Sequence, residues 1–389
     1  YIESSSSNKL LVFFCIIVPD LCVIYLIIAS IDLKYKMDTF CVLPWYSLEL
    51  PSNSPCCLLP RSANIKQVKH DLLSGVKSQA CAKCWVIESQ GNKSRRQLEN
   101  EFLDYKLDRD LQLIKQDCKT TNITPLFYQI TTSNLCNQAC VICGSGASTK
   151  WAEIEKRMDI IPEKRFELEN IDINYATARR ISLLGGEPFF DPKTFVILEK
   201  LIEHGNTDCF VSIVTNGSIA LPKSKLDLLS KFTDLNICIS IDGTGPVFEY
   251  MRWPAKWDTL LDNINLFQKI TKNISVSYTI SSLNIFYHQQ TIDWFNKQSI
   301  RYNHNIVTNP NWLSLTAMPV ELKQLLDGNS FAKPWLTITG NEISLDKYKE
   351  NIYAQDRAKR IDIKDYLPEI WEVLDKSATT LAMDPIRIR

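Results

Sequence analysis

The chain has 389 residues and a formal net charge of zero, with 44 basic and 44 acidic side chains. That balance offers no bulk charge to attract nucleic acid or an acidic lipid surface. Its hydrophobic content, 45%, is ordinary for a globular protein. There are 13 cysteines, and the grouped ones read as metal ligands in a reducing compartment, not as a disulfide framework.

The chain opens with an apolar run from Leu10 to Ser30, long enough to span a bilayer. Pro19-Asp20 interrupts it, and an aspartate near a bilayer centre is costly. Lys9 precedes the run while Lys34 and Lys36 follow it, so flanking charge sets no orientation. The run reads as a membrane anchor, as an uncleaved signal segment, or as part of an upstream reading-frame extension over residues 1–36. The third reading rests on Tyr1 not being a start methionine and on Met37 directly preceding the organised Phe40-Cys41 stretch. Grouped thiols belong in the cytosol, so a cytoplasmic location is expected, with anchoring through residues 10–30 as the alternative.

Residues 37–105 hold Cys41, Cys56-Cys57 and Cys81-Ala-Lys-Cys84. Val68, Leu72 and Leu73 fall at helical spacing within residues 65–76, and Gly75 is a stop signal. A domain this small needs a metal to fold. Cys41, Cys81, Cys84 and one of Cys56 or Cys57 make four thiolates, since neighbours in an extended segment point apart. Four thiolates suit zinc or an iron–sulfur cluster. Residues 106–125 are polar and read as a connecting helix and linker, with Cys118 a bystander thiol.

From Leu126 onward, short apolar runs alternate with helical ones. Strands are expected at 126–132, 180–184, 209–215, 235–241, 274–281 and 304–308. Helices are expected at 148–158, 192–204, 222–232, 257–270, 287–298 and 318–327. This alternation means βαβ units and a parallel sheet, and six units fall short of the eight of a closed barrel. The tail, 316–389, carries helical runs at 345–359 and 363–376 that pack on the barrel's open side or bottom.

Chemistry concentrates at strand ends, where α/β folds place it. After the first of these strands comes Cys136-Asn-Gln-Ala-Cys140-Val-Ile-Cys143, followed by Gly144-Ser145-Gly146. Three thiolates are one short of the four that close an iron–sulfur cube. One iron stays open, and an open position separates a catalytic metal site from a structural one. After the next strand, Gly185-Gly186-Glu187-Pro188 combines close backbone approach with a carboxylate that suits a cation. Thr215-Asn216-Gly217 and Ser240-Ile241-Asp242-Gly243 end the two strands after that. Ser240 and Asp242 suit hydroxyl and polar groups. Arg252 suits a carboxylate.

The cysteine spacing, with Gly-Gly-Glu-Pro about fifty residues later, resembles the radical S-adenosylmethionine (SAM) superfamily. The resemblance covers roughly Met37 to Leu315. It implies a partial (β/α)6 radical SAM barrel, class α/β, preceded by a small cysteine-rich twitch domain, the shortened relative of the SPASM domain. It further implies that Cys136, Cys140 and Cys143 hold a 4Fe-4S cluster whose fourth iron is chelated by SAM. Gly185, Gly186, Glu187 and Pro188 then correspond to the motif that meets the SAM amino group. Ser240 and Asp242 correspond to the ribose motif and Arg252 to a carboxylate partner. Thr215, Asn216, Thr279 and Asn284 are further SAM contacts, and Ile142 stands where many members place an aromatic residue near adenine. The Cys41, Cys56 or Cys57, Cys81 and Cys84 set corresponds to an auxiliary iron–sulfur cluster, with zinc as the alternative. Lys93, Arg95 and Arg96 face a substrate or form a solvated basic turn.

The implied activity is reductive cleavage of SAM to a 5′-deoxyadenosyl radical and C–H activation on a peptide or small metabolite, an oxidoreductase-type reaction. A flavodoxin or ferredoxin would supply the electron. Two other classes stand beside it: an iron–sulfur electron carrier, and a zinc-stabilised binding module on a degenerate barrel. The Gly185–Pro188 and Ser240–Gly243 motifs argue against a carrier, which needs no nucleoside pocket.

Overall fold

The computed structural model describes residues 39–107, 111–120, 123–326 and 328–376. The apolar run at Leu10–Ser30, and every reading attached to residues 1–36, lies outside the described residues. The chain divides into two units, one holding residues 39–46 and 55–124 of the described chain and the other Ser47–Ser54 with the chain from Pro125 onward.

The larger unit is built on one parallel sheet. Its strands are β1 (Ser47–Leu50), β2 (Phe127–Thr131), β3 (Arg180–Leu184), β4 (Phe210–Thr215), β5 (Leu235–Ser240), β6 (Asn273–Ile280) and β7 (Arg301–Ile306). They lie side by side in sequence order, each paired in parallel with the next. Among the described residues no strand pair links β7 back to β1, so the sheet stays open between them, an arrangement that fits a partial barrel.

Five of these strands, β2 to β6, stand where apolar alternation places them, and β7 overlaps its expected range. The seventh, β1, does neither. It lies inside the first cysteine stretch, and its four residues, Ser-Leu-Glu-Leu, are too few to establish a period. Its partner β2 stabilises it through backbone pairing. β7 begins three residues before the expected 304. Its polar start, Arg301 to Asn305, is exposed and is held by the ladder with β6, not by burial.

The helices that follow β3 to β6 are Pro192–Glu203, Lys223–Leu229, Trp257–Phe267 and His288–Lys297, and the helix Thr149–Arg157 follows β2 after the cysteine loop. Pro192 opens the first, where a missing N–H costs nothing, behind the N-cap Asp191. The expected helix at 318–327 shortens to Val320–Gln324. The run 345–359 forms in full, as Leu345–Lys359. The last run splits into a turn at Ile363–Asp365 and a helix Pro368–Lys376, because Pro368 cannot continue a helix begun before it.

Period two divides the sheet into faces. Ile130, Leu183, Ile213, Ile237 and Val276 belong to the buried core. The opposite face is half-buried and polar. Gln129, Ser182, Ser212 and Asn236 stand in one register row across β2 to β5. Asn236 donates to Ser212 Oγ at 3.1 Å and accepts from Ser275 Oγ at 3.1 Å.

The smaller unit is helical. Asn64 caps the helix Ile65–Leu73, accepting from the N–H groups of Lys66 and Gln67, and Gly75 follows at φ +76°. Helices Ala82–Ser89, Arg95–Leu107 and Leu111–Thr120 complete it. The last of these, Leu111–Thr120, lies within the stretch 106–125 read as a connecting helix and linker.

Candidate functional site

The chain leaving β2 is fixed before the first thiol of the cysteine loop is reached. Thr132 and Ser133 both donate their hydroxyls to Asp191 Oδ2 at 2.6 Å. Asp191 Oδ1 caps the following helix through Lys193 N–H at 3.0 Å. The Gly-Gly-Glu-Pro turn then lies directly against this segment. Gly186 N–H donates to Ser133 O at 2.9 Å, and Glu187 N–H donates to Leu135 O at 2.8 Å. A Cβ on Gly185 would stand 2.8 Å from Ser133 O, and one on Gly186 would stand 2.4 Å from Leu135 O. Gly185 also holds φ +149°. Only glycine allows two backbones this close. Pro188 completes the turn, its carbonyl accepting from Asp191 N–H.

Glu187 is 1% exposed and uses both carboxylate oxygens inside the chain. Oε1 accepts from Phe189 N–H at 2.9 Å and from Thr215 Oγ1 at 2.6 Å. Oε2 accepts from Asn216 N–H at 2.6 Å. Burial pushes its carboxyl up to about 6 against the pull of these bonds. The side chain therefore staples the end of β3 to the end of β4. Asn216 reaches back to the cysteine loop through Asn137 Oδ1 at 2.9 Å, and Asn137 donates to Ser218 Oγ at 2.9 Å.

Cys136 and Cys140 are buried and Cys143 is half-buried. Gln138 N–H points to Cys136 Sγ at 3.4 Å, and Arg252 Nη1 approaches Cys140 Sγ at 3.8 Å. Burial raises all three thiols, Cys136 to about 12 and Cys143 to about 11, and Cys140 adds to both shifts. Without added positive charge they stay protonated; a metal's charge would deprotonate them. Among the described residues no three His, Cys, Asp or Glu side chains converge on one ion. A single ion needs such convergence, whereas each ligand of a cube meets a different iron. Three neighbouring buried thiols, a guanidinium beside one of them and a buried Gln138 Nε2 without a partner fit an anionic cluster.

Asp242, wholly buried, closes the end of β5. Oδ1 accepts from Thr279 N–H at 2.8 Å. Oδ2 lies 2.6 Å from Arg252 Nε, outside hydrogen-bond alignment, so charge holds that contact. Burial opposes the charge on Arg252, but Asp242 and Cys140 outweigh it and raise its pKa. Asn284 ties the same corner, donating to Asp242 O at 2.9 Å and Thr279 O at 2.8 Å and accepting from Ser281 N–H at 2.7 Å.

Residues 130–294, which hold the cysteine loop and every one of these turns, match the family model described as "Radical SAM superfamily". This stretch is a radical SAM domain. No curated protein matches the chain in sequence. Among solved structures, anSMEcpe with bound AdoMet is similar at 16% identity and TM-score 0.39, over 59% of this chain and 67% of that one. Streptococcus suis SuiB bound to precursor peptide SuiA is similar at 13% identity and TM-score 0.35, over 75% and 63%. TYW1 with a lysine-pyruvate adduct is similar at 13% identity and TM-score 0.30, over 50% and 70%. The chain thus spans about two thirds of the length of the relatives it matches.

The radical SAM domain places the expected SAM contacts unevenly. Glu187, Asp242, Asn216 and Asn284 have their side chains engaged within the chain. The hydroxyls of Ser240 and Thr279, half-buried at adjoining strand ends, lie on the polar face and make no side-chain hydrogen bond among the described residues. Ile142 is half-buried against the core. Sequence reasoning missed Asp191, whose one signal was an N-cap residue before Pro192. It also missed Trp151, which donates to Cys140 O at 2.7 Å, and Lys359, which lies over the Trp151 ring at 4.6 Å.

In the smaller unit Cys41, Cys56, Cys81 and Cys84 line one depression with Arg95 and Arg96. Cys57 is exposed, and Arg95 donates to its sulfur. Burial raises Cys81 to about 11, with Cys84 and Cys56 adding to it. Arg96 is 2% exposed and grips Glu88 at 2.9 and 3.0 Å and Phe40 O at 2.7 Å. Lys93 pairs with Glu101 at 2.8 Å.

Proposed function

We propose that the chain is a radical SAM enzyme acting on a peptide or small-metabolite substrate. Cys136, Cys140 and Cys143 would hold the 4Fe-4S cluster with one iron open. Cys41, Cys56, Cys81 and Cys84, in a twitch-type domain, would hold an auxiliary iron–sulfur cluster. When bound, the first cluster supplies the electron that breaks the sulfonium C–S bond of SAM, releasing methionine and a 5′-deoxyadenosyl radical that takes a hydrogen atom from the substrate.

The single observation that carries this reading is the bonding of the cysteine loop to the Gly-Gly-Glu-Pro turn, through Gly186 N–H to Ser133 O and Glu187 N–H to Leu135 O. A carrier needs thiols but no such platform beside them. The protein's part is orientation and exclusion of water. Glu187 rigidifies the two strand ends under the site and leaves the carbonyls of Gly185 and Gly186 to meet a ligand. Asp242 holds Arg252 beside Cys140. Ser240 and Thr279 offer hydroxyls to polar groups of SAM. The uncharged row Gln129, Ser182, Ser212 and Asn236 suits a substrate with neutral hydrogen-bonding groups. A flavodoxin or ferredoxin suits as electron donor.

The test is the full chain, purified without oxygen, loaded with iron and sulfide, reduced and given SAM. The expected result is 5′-deoxyadenosine and methionine in equal amounts, about eight irons per chain, and loss of both products in Cys140→Ala. About four irons with activity would make the first domain a zinc site or an empty one. A fully loaded, reduced chain that yields no 5′-deoxyadenosine, with or without candidate peptides, would overturn the reading in favour of an electron carrier.

A further inference from the structure

Lys359 ends the helix Leu345–Lys359 and is 3% exposed. Its ammonium has one hydrogen bond among the described residues, to Gln355 Oε1 at 2.9 Å. No carboxylate among them comes within ion-pair distance. Asp356, on the same helix, spends its oxygens on Tyr250 Oη at 2.9 Å and Ile363 N–H at 2.7 Å. Buried charges in proteins are paired. Lys323 shows the usual arrangement, with Glu342 at 2.8 Å and two carbonyls around it. Lys359 lacks that counter-ion.

What surrounds Lys359 belongs to the cysteine loop and the helix after it. Its Nζ lies 4.6 Å from the centroid of Trp151, whose indole N–H donates to Cys140 O at 2.7 Å. Arg157 Nη1 donates to Ala358 O at 3.0 Å. Ala358 packs in one cluster with Ala139, Trp151 and Ile154, and Cys143 lies against the same cluster. Besides Asp356, the groups near enough to act on the ammonium once they carry charge as thiolates are Cys140 and Cys143.

We infer that Lys359 is the counter-ion of the cluster carried by Cys136, Cys140 and Cys143, and that it raises that cluster's reduction potential. The inference rests on the function proposed above. A thiolate-bound cluster is anionic, and reduction adds a further negative charge. A fixed ammonium in a dry setting favours the reduced form, and charge near a cluster is one of the determinants of its potential. Lys359 acts through electrostatics and is a positioning residue, not a catalytic one.

The experiment is a redox titration of the full chain, loaded with iron and sulfide and followed by the electron paramagnetic resonance of the reduced cluster without SAM. Wild type, Lys359→Met and Lys359→Arg are compared at equal iron content. In Lys359→Met the reduction equilibrium should fall at least tenfold, which is 59 mV for a one-electron couple, while Lys359→Arg keeps the wild-type potential. Should Lys359→Met lose iron, Lys359→Gln is titrated in its place with the same expectation. A loaded Lys359→Met or Lys359→Gln with the wild-type potential overturns this inference and leaves the proposed function standing. A wild-type chain that loads no cluster at Cys136, Cys140 and Cys143 overturns both.

Discussion

Gly186 stands against Leu135 so closely that a Cβ on it would lie 2.4 Å from the Leu135 carbonyl oxygen. The obstacle is backbone, which cannot swing aside as a side chain can. Gly186→Ala should therefore force the turn away from the cysteine loop and break the bond from Glu187 N–H to Leu135 O. The expected cost is about 1–3 kcal/mol, read from urea unfolding. Iron bound at the three-cysteine site should fall as well. A variant with wild-type stability and full iron would show that the turn and loop are independent.

Arg252 and Asp242 predict a double-mutant cycle. Arg252→Met leaves the wholly buried Asp242 carboxylate without its cation, at a cost of about 3–5 kcal/mol. Asp242→Asn added to it keeps an acceptor for Thr279 N–H and removes the orphaned charge. The double variant should be more stable than Arg252→Met alone by urea unfolding. Additive losses would mean the pair is not coupled.

The smaller unit separates two adjacent thiols. Cys56 lines the depression with Cys41, Cys81 and Cys84, while Cys57 is exposed. Cys56→Ser should lose the metal of that site, and Cys57→Ser should keep it, as measured by metal content per chain. The reverse outcome would place the ligand at Cys57.

Asp356 gives a pH dependence. Burial pushes its carboxyl up to about 6 from an ordinary 3.8, so the folded chain binds this proton more tightly than the unfolded chain. The stabilisation is complete below about pH 4 and is lost as pH rises through about 6. Its size is on the order of 2–3 kcal/mol. The stability difference between wild type and Asp356→Asn, measured by urea unfolding across pH 4 to 7, should change over that window in favour of Asp356→Asn as pH rises. A flat difference would contradict it.

Strand and helix alternation from Leu126 to the tail was legible in the sequence because each element carries its own period and its own stops. Ile181 and Leu183 alternate with Ser182, and Asp191-Pro192 announces a helix start. The cysteine spacing and the Gly-Gly-Glu-Pro turn were legible for a similar reason, as chemistry compressed into a few neighbouring residues. The polar start of β7 was not, since backbone pairing holds it and leaves no pattern in its side chains.

By itself the sequence determined the βαβ order, the thiols and the turns at the strand ends, all of them local properties. Only the tertiary structure decided that Ser47–Leu50 joins the sheet beside β2, that Cys56 and not Cys57 lines the depression, and that Glu187 spends its carboxylate on Thr215, Asn216 and Phe189. It alone brought Lys359 over Trp151, 208 positions earlier in the chain. These outcomes depend on which polar groups are left to satisfy one another once the apolar face of the sheet is buried. That pairing is made across long stretches of chain and leaves no period to read.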